Sequence, residues 1–279
     1  MSEIIFIAKP TDWAEKIYPG YHQFFNEFYP KLKGYHKVEI LDLPDIWVRD
    51  FLPVQNIKTG QLHQMFFDPR YANYTPQFTA LIRHAVHNYF PQVKPCDLRI
   101  DGGNMILNPK QDTVFCFEKQ TIFRKSKPEE KQKAEQELKT ALGVDKVVWV
   151  PREIGDKICH IDGFMQFLGS KLCISNEVHL SGCDLWQKRE HILKPVININ
   201  TTISLPCAAA NNYLSAKGIY VNFLETANAV FLPQYNIFRD DEVFDAIKSY
   251  TEKPVVKVDC SKIAEYGGAV HCLTKEYRQ

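Results

Sequence analysis

The sequence predicts an α/β protein that folds as one continuous unit over residues 1–279. Short apolar runs typical of strands alternate with amphipathic, helix-like segments throughout, and no Gly/Ser tract, charge block or low-complexity stretch marks a linker. The chain is 45% hydrophobic and 24% charged, as ordinary globular proteins are. A chain of this length buries about three quarters of its unfolded surface, so its core needs no metal or disulfide.

The N-terminal half contains well-marked helix and strand signals. Thr75 and Pro76 are a typical N-cap and first-turn pair, and they start a helix that extends towards Pro91. A second helix is predicted after Ser126, where a glutamate three residues later completes a capping box and Gly143 ends the helix. Strands are predicted at residues 4–7, 38–41, 46–48 and 147–150.

The C-terminal half repeats the same alternation. Pairs of predicted strands are followed by a helix and another strand, although the sequences of these units do not repeat. Such a series closes either into a doubly wound sheet or into a ring of small ββαβ modules, and the pattern leaves both open. The predicted helix lies near residues 241–250, and the predicted strands are residues 164–168, 171–174, 219–223, 229–232, 255–258 and 270–273.

Composition and charge argue against several classes of function. With 34 basic and 33 acidic residues, the chain has no charge excess that would draw it to nucleic acid or to an anionic membrane. No apolar run approaches the roughly 18 to 20 residues that span a bilayer, and residues 1–8 lack a basic signal-peptide start. The eight cysteines form no C-x-x-C pair. A soluble, cytoplasmic protein with reduced thiols is therefore expected.

Two short islands in the first half hold residue types that catalysis uses. Residues 47–50, Trp-Val-Arg-Asp, could hold a planar cation by stacking and bidentate hydrogen bonds, or could be a surface ion pair over a core tryptophan. Residues 101–104, Asp-Gly-Gly-Asn, could allow a close backbone approach, or could be a simple hairpin turn.

Two further islands add an imidazole and a thiol. In an extended segment His160 and Asp162 point to the same face, so both can enter one cleft as an acid–base group and its orienting carboxylate. In residues 267–274, glycines flank Cys272, which is either a nucleophile on a tight turn or a buried strand thiol. His271 would face away from the thiol if this segment were a strand, so it is not expected to be the base.

Taken in order, the four islands resemble the motifs of the agmatine deiminase and bacterial peptidylarginine deiminase family of guanidine-modifying enzymes. That family carries W-x-R-D, E-G-G, H-x-D-G and G-G-x-x-H-C-x-T in this order, and the chain matches them with two departures. Asp101 replaces the usual glutamate, which moves the acceptor inward by about one methylene, and Leu52 replaces a glycine after the first motif. The similarity continues between the islands, for example through Tyr-Val-Asn-Phe at residues 220–223.

The resemblance implies a fold and a set of roles. The fold is the pentein α/β-propeller, five ββαβ modules around a pseudo-fivefold axis with the site in the central channel. The implied catalytic residues are Cys272 as nucleophile, His160 as general acid and base, and Asp50 and Asp162 as guanidinium-binding carboxylates. No metal or organic cofactor is implied. The implied substrate-binding residues are Trp47, Arg49, Asp101, Gly102, Gly103, Asn104 and Gly268.

The chemistry of a guanidinium supports these roles independently. Because its central carbon is a poor electrophile, the group must be held by carboxylates, attacked by a thiolate and relieved of ammonia by a proton donor. The resemblance thus implies a deiminase that converts agmatine or a related small guanidine into a ureido product and ammonia through a cysteine thiouronium intermediate. With agmatine as substrate, the implied pathway is putrescine biosynthesis.

Three alternatives stay open at this stage. A peptidylarginine substrate would need an open cleft, whereas the ammonium of agmatine would need a carboxylate or aromatic group such as Glu225 or Trp47. An amidinotransferase would pass the amidino group to an amine instead of water, because fold and nucleophile do not determine the acceptor. A non-catalytic guanidine-binding protein would lack an intact Cys272 or His160, and both are present.

Overall fold

The structure is a computed structural model, and it describes most of the chain. The described residues are 3–72, 74–119, 121–124, 126–152, 157–175, 188–189, 191–196, 202–206 and 215–279. Within them, no helix is both long and apolar enough to cross a membrane.

The strands in the described ranges form five sheets of three strands each. In chain order they are β1 (Glu3–Ala8), β2 (Lys37–Leu41), β3 (Val54–Gln55), β4 (Leu62–Gln64), β5 (Lys94–Pro95), β6 (Ile106–Leu107), β7 (Thr113–Phe117), β8 (Lys146–Val150), β9 (Met165–Leu168), β10 (Lys171–Ser175), β11 (Thr202–Leu205), β12 (Leu224–Glu225), β13 (Val230–Gln234), β14 (Val255–Asp259) and β15 (Lys275–Arg278).

All five sheets have the same construction. A short first strand pairs antiparallel with the middle strand, and the third strand pairs with the middle one in parallel, as in β6–β7–β8. A parallel pair needs a crossover connection, and helices supply it. The helices are α1 (Asp12–Ile17) and α2 (Tyr21–Lys33) in the first module, α4 (Pro76–Tyr89), α5 (Pro128–Leu142) and α6 (Asp240–Ser249) in later ones, with a short α3 (Val48–Phe51) before β3. This pattern selects the ring of ββαβ modules over the doubly wound sheet.

The ring is closed by the two ends of the chain. Strand β15 supplies the first strand of the sheet that also contains β1 and β2, with Glu3 opposite Arg278 and Phe6 opposite Lys275. The module that begins the chain is therefore completed only by its last strand. The fold is the predicted α/β class in its propeller form.

The predicted helix signals are largely confirmed. The Thr75 hydroxyl accepts a hydrogen bond from the Phe78 amide at 3.1 Å, and Pro76 is the first residue of α4. Gly143 ends α5 in the left-handed conformation at φ +76°. The predicted capping box is wrong, because the N-cap position of α5 is Lys127 and no side chain caps it. The residues of α5 that are buried are Ala134, Leu138, Ala141 and Leu142.

Three predicted strands are wrong, because each of these segments forms a turn or leads into a short helix. Residues 46–48 lead into α3, residues 219–223 form turns before β12, and residues 270–273 turn before β15. These segments are apolar because they are buried at the centre of the ring, so their composition is that of a strand. Backbone bonds from Leu52 to the Val48 carbonyl and from Leu273 to the Ala269 carbonyl show that the chain reverses there.

These turns share one position in every module, directly before its first strand. The segments before β3, β6, β9, β12 and β15 are α3, the 3₁₀ turn Gly102–Asn104, the 3₁₀ turn Ile161–Gly163, and the turns ending at residues 221 and 273. Hydrogen bonds join these segments around the axis. They are Arg49 N to Cys272 O (3.1 Å), Gly103 N to Asp50 Oδ1 (3.0 Å), the side chains of His160 and Asp101 (3.0 Å), Asn222 Nδ2 to Asp162 O (3.3 Å) and His271 N to Asn222 O (3.0 Å).

Candidate active site

The five central segments bring the predicted catalytic side chains together. Asp50, Asp101, His160, Asp162 and Cys272 come from four different modules, and each is at most 9% exposed. Three polar atoms, Asp50 Oδ1, His160 Nδ1 and Asp162 Oδ2, lie within 3.2 Å of the position that a Cβ on Gly103 would occupy. The cluster is thus compact, buried and rich in carboxylates.

His160 lies between two carboxylates. Its Nδ1 is 3.4 Å from Asp50 Oδ1, and its Nε2 is 3.0 Å from Asp101 Oδ2. The His160 backbone is extended and the following turn carries Asp162, so both side chains reach the cluster as the H-x-D spacing predicts. The segment between them is a 3₁₀ turn rather than the extended run that the prediction used.

The two carboxylates change the acid–base behaviour of the imidazole. Burial alone lowers the pKa of His160, but Asp50 and the hydrogen bond to Asp101 outweigh it and raise the pKa above its ordinary value. Burial raises the pKa of Asp50 to about 6, with His160 opposing the shift. Burial also acts to raise the pKa of Asp101, but His160 and Lys119 lower it overall. The raised pKa favours the protonated form of His160, which can act as an acid.

On the other side of the cluster, one carboxylate oxygen contacts both residues of the His-Cys pair. Asp162 Oδ2 is 2.7 Å from His271 Nδ1 and 3.5 Å from Cys272 Sγ, which donates to it. The prediction that His271 faces away from the thiol is wrong, because residues 270–273 are a turn and the two-residue alternation of a strand does not apply.

The thiol of Cys272 is held by an amide side chain. Asn222 Nδ2 donates to Cys272 Sγ at 3.2 Å, while Asn222 Oδ1 accepts from the backbone amides of Ala269 at 3.1 Å and Cys272 at 3.4 Å. Burial raises the pKa of the Cys272 thiol well above its ordinary value, Asp162 and Asp50 add to the rise, and the Asn222 donor opposes it. The resting thiol is therefore protonated until a cation enters.

Two predicted binding residues form a wall beside the thiol. A Cβ on Gly268 would lie 2.5 Å from the Trp47 ring and 2.8 Å from Cys272 Cβ, so only glycine lets the tryptophan approach the nucleophile turn. Trp47 also packs edge-on against Tyr18 at 5.5 Å between ring centroids. Behind it, the buried Asp45 carboxylate accepts hydrogen bonds from Tyr18 and Tyr74.

Tyr71 and Lys119 extend the other side of the cluster, and no sequence motif indicated either of them. The Tyr71 ring packs edge-on against His160 at 5.3 Å, and its hydroxyl donates to Asp50 Oδ2 at 3.4 Å. Lys119 Nζ lies 3.6 Å from Asp101 Oδ2. Asp101 thus directs its acceptor oxygen to His160 and Lys119.

Three residues that the sequence analysis named as possible substrate contacts, Arg49, Asn104 and Glu225, bond to other groups of the protein. Arg49 pairs its guanidinium with Glu276 and donates from Nε to the His271 carbonyl at 3.1 Å. Asn104 joins its turn to β7 through two bonds to the Phe117 backbone. Glu225 pairs with Lys253 at 2.8 Å and accepts from the Gly169 amide. These contacts position the segments that carry the site.

Both glycines of the second island are required by close packing. A Cβ on Gly102 would lie 1.8 Å from the Arg49 carbonyl oxygen, and one on Gly103 would lie 2.7 Å from both Asp50 Oδ1 and His160 Nδ1. By contrast, a Cβ on Gly163 has no atom within 4 Å. The two glycines of the Asp-Gly-Gly-Asn segment therefore let the backbone pack closely against Arg49, Asp50 and His160, and the segment is not a hairpin turn.

We expect Gly103→Ala to lower the deiminase turnover that the family resemblance implies about 100-fold or more. The added methyl group would displace the side chains of His160 and Asp50 from their positions in the cluster. The matched Gly163→Ala variant, in the neighbouring motif, should stay within about twofold of the unsubstituted protein. Ammonia release by the two purified variants compares them directly. Equal activity in both would contradict the packing argument.

Comparisons with known proteins agree with this arrangement. A family profile, that of the Porphyromonas-type peptidyl-arginine deiminases, matches residues 13–277. The chain belongs to this family. Family membership confirms the resemblance that the four motifs indicated. An Enterococcus faecalis relative in the curated set, named "Putative agmatine deiminase", is 24% identical over 213 residues, which cover 64% of this chain and 57% of that protein. The chain therefore spans less than two thirds of the length of that relative.

Solved structures related to this family confirm the propeller fold. The C. jejuni agmatine deiminase superposes with a TM-score of 0.78 at 18% identity, covering 99% of this chain and 93% of that one. The agmatine deiminase of Enterococcus faecalis gives a TM-score of 0.75 at 16% identity, with the same coverage. At such identities the likeness shows the fold.

Asn222 and His271, like Tyr71 and Lys119, contact the predicted catalytic residues but were not assigned to the site from the sequence. The Tyr-Val-Asn-Phe run at residues 220–223 was visible as part of the family resemblance, but nothing in it indicated a partner for the thiol. Within the described ranges, no group of three or more His, Cys, Asp or Glu side chains is arranged to hold a metal ion.

Proposed function

We propose that the protein is a deiminase that hydrolyses the guanidinium group of agmatine or a related small guanidine. One observation carries the proposal. A thiol and an imidazole lie in one buried cluster with three carboxylates, Asp50, Asp101 and Asp162. Such a cluster has excess negative charge, which a planar cation with several N–H donors neutralises and satisfies.

The guanidinium itself prepares the nucleophile. The pKa of the Cys272 thiol is high in the resting site because burial and two carboxylates disfavour the thiolate. A cation held by Asp50 and Asp162 next to the sulfur reverses that electrostatic effect and lowers the thiol pKa. The thiol thus ionises when its target is in place, and the S–H proton is released to solvent as the cation enters, so Asp162 stays ionised to hold the guanidinium.

The reaction then has two halves. The Cys272 thiolate forms a bond to the central carbon, and His160 protonates one terminal nitrogen, whose bond to that carbon breaks to release ammonia. The remaining S-alkylthiouronium is covalently bound to the enzyme. In the second half, His160 takes a proton from water, the water oxygen adds to the same carbon, and the C–S bond breaks to give the ureido product and the thiolate.

Asn222 has a role that one substitution isolates. Asn222→Asp keeps an acceptor for the Ala269 and Cys272 amides but replaces the N–H donor to the sulfur with a carboxylate oxygen. We therefore expect the thiol pKa to rise further, and alkylation of Cys272 by iodoacetamide at pH 8 to slow about tenfold or more. Asn56→Asp makes the same change at another buried asparagine, which bonds the Lys58 and Thr59 amides, and should leave alkylation unchanged. Similar rates in all three proteins would contradict the role.

The relatives support a small substrate. The agmatine deiminases above share the fold, and another C. jejuni agmatine deiminase structure, with a TM-score of 0.77, was solved with substrate bound. Trp47, which borders the thiol, offers an aromatic face to the far ammonium of agmatine. Peptidylarginine is the second candidate, because the matching family profile takes its name from peptidyl-arginine deiminases.

A substrate panel tests the proposal. Ammonia release is measured with agmatine, arginine, an N-acetylated arginine amide and an arginine-containing peptide, each with and without an added amine acceptor. We expect release from agmatine without the acceptor. Release from the peptide alone would select the second candidate, and turnover that requires the amine would identify an amidinotransferase. No turnover with any of them would contradict the proposed function.

A further inference from the structure

His271 is a buried imidazole that the proposed reaction does not use. It precedes the nucleophile in sequence and is 5% exposed. Its Nδ1 lies 2.7 Å from Asp162 Oδ2, among the shortest contacts in the cluster. Because an ionised carboxylate only accepts hydrogen bonds, Nδ1 carries the hydrogen and donates it. The ring thus acts on the carboxylate rather than on the thiol.

The hydrogen bond fixes the Asp162 oxygen that lies inside the cluster. Oδ2 accepts from both His271 Nδ1 and Cys272 Sγ. The same oxygen lies 3.2 Å from the position that a Cβ on Gly103 would occupy, close to Asp50 Oδ1 and His160 Nδ1. The His271 donor therefore holds a carboxylate oxygen that borders both the thiol and the acid–base group. A carboxylate held in this way cannot rotate to exchange its oxygens without losing the short bond to His271.

The backbone of His271 is fixed from two sides, which makes the ring a rigid support. Its amide donates to the Asn222 carbonyl at 3.0 Å, and its carbonyl accepts from Arg49 Nε at 3.1 Å. Arg49 is in turn held by Glu276. A donor whose own position is fixed loses little conformational entropy when it bonds a partner.

We propose that His271 is a positioning residue for the guanidinium-binding carboxylate. By donating Nδ1–H to Oδ2, it keeps Asp162 ionised and holds the carboxylate beside the thiol. The identity of the bound cation in this inference rests on the proposed function, whereas the contact between His271 and Asp162 is observed in the structure. The sequence analysis expected only that His271 is not the base, and the role proposed here is a different one.

The charges around the pair are consistent with this direction of donation. Burial acts to raise the pKa of Asp162, but the His271 hydrogen bond, His160 and Arg49 lower it overall. Burial and Arg49 lower the pKa of His271, and they outweigh Asp162 and Glu276, which act to raise it. The His271 ring is therefore neutral near pH 7. The charged groups facing His271 are thus Asp162, Arg49 and Glu276, with Lys275 nearby in sequence.

The test uses two substitutions that differ in one donor. His271→Leu removes the hydrogen bond, whereas His271→Asn places an amide N–H near the position of Nδ1. The titration of Asp162 is followed by ¹³C NMR on protein labelled at the aspartate carboxyls, and its signal is assigned by its loss in Asp162→Asn. We expect Asp162 to titrate at higher pH in the leucine variant and near its native position in the asparagine variant.

Turnover gives a second readout. Because Asp162 must be ionised to bind a cation, a higher pKa moves the acid limb of kcat/KM to higher pH. We expect His271→Leu to move the acid limb of kcat/KM up by about one to two pH units, so that the deficit is largest at acid pH and shrinks towards neutral pH, and His271→Asn to recover most of the shift. A merely structural loss would lower kcat/KM equally at every pH.

His36 supplies a matched control. It is also buried, and its Nε2 bonds Thr226 Oγ1 at 2.8 Å, outside the site. His36→Leu should change the unfolding midpoint but leave the Asp162 titration and the acid limb in place. If His271→Leu does not fold, His271→Gln replaces it, because glutamine places its donor near Nε2 and leaves Oδ2 without one.

Each outcome has a definite meaning. The inference is overturned if Asp162 titrates at the same pH with and without the His271 donor. It is also overturned if the acid limb of kcat/KM moves as far in His36→Leu as in His271→Leu. An NMR shift without any ammonia release from the unsubstituted protein supports the role of His271 and contradicts the proposed function. The two hypotheses can therefore fail separately.

Discussion

Replacing Cys272 with alanine is expected to abolish ammonia release, with kcat falling about 10⁴-fold or more. The sulfur atom forms the covalent bond on which both halves of the proposed reaction depend, and no neighbouring side chain in the described cluster can replace it. The fold should persist, because the substitution removes one buried atom and the bond from Asn222. Its expected cost is about 1 kcal/mol of unfolding free energy. Ammonia assays and urea unfolding measure both effects.

Cys173 supplies the contrast for this prediction. It lies fully buried in β10, where burial raises its pKa to about 12. Cys173→Ala should therefore lose some stability but keep its activity, while Cys272→Ala loses its activity at a stability cost of only about 1 kcal/mol. Quenching the native enzyme during turnover should also show, by mass spectrometry, an adduct on the peptide that contains Cys272. Ammonia release by Cys272→Ala would disprove the nucleophile assignment.

Replacing His160 with glutamine is the second large effect that we expect. Glutamine keeps hydrogen-bonding groups near Asp101 but cannot carry the proton that the leaving nitrogen needs. We therefore expect kcat to fall about 10²- to 10⁴-fold. Because ammonia could not leave, the thiouronium adduct should not accumulate. A kcat within tenfold of the native value would exclude His160 as the acid.

The same substitution has a pH-dependent effect on stability. The pKa of His160 is raised in the folded protein, so its protonation stabilises the fold fully below the unfolded pKa of about 6.5, and this contribution is lost as pH rises through the folded pKa. His160→Gln should therefore destabilise the protein more at pH 6 than at pH 9 in urea unfolding. Burial lowers the pKa of His36 in the folded protein. The His36→Gln variant should therefore not show this trend.

Local sequence signals predicted the periphery of the fold better than its centre. Thr75, Pro76 and Gly143 mark helix ends through their own backbone and side-chain preferences, and tertiary packing agrees with them at all three positions. The choice of a ring over an open sheet came from the family resemblance, because strand–helix alternation is common to both. Two-residue strands such as β3 and β12 are too short to produce a periodic signal.

The centre of the ring misled local reasoning for a physical reason. Residues 270–273 are largely apolar and buried, yet they form a turn before β15, so the alternation argument gave the wrong orientation for His271. The contacts of Asn222 and Lys119 with the site depend on modules far apart in sequence. No local pattern encodes such contacts, whereas the four motifs identified residues with intrinsic chemistry, such as Cys272 and His160.

The closure of the ring by β15 also links the assembly of the protein to its chemistry. Cys272 lies immediately before the strand that pairs with β1, and His160 lies in a module on another part of the circle. While the chain is still folding, the thiol has neither Asn222 nor Asp162 beside it and no substrate pocket. Catalytic activity would therefore arise only once the first and last strands have joined, so recovery of activity during refolding would report the final step of assembly rather than the formation of individual modules.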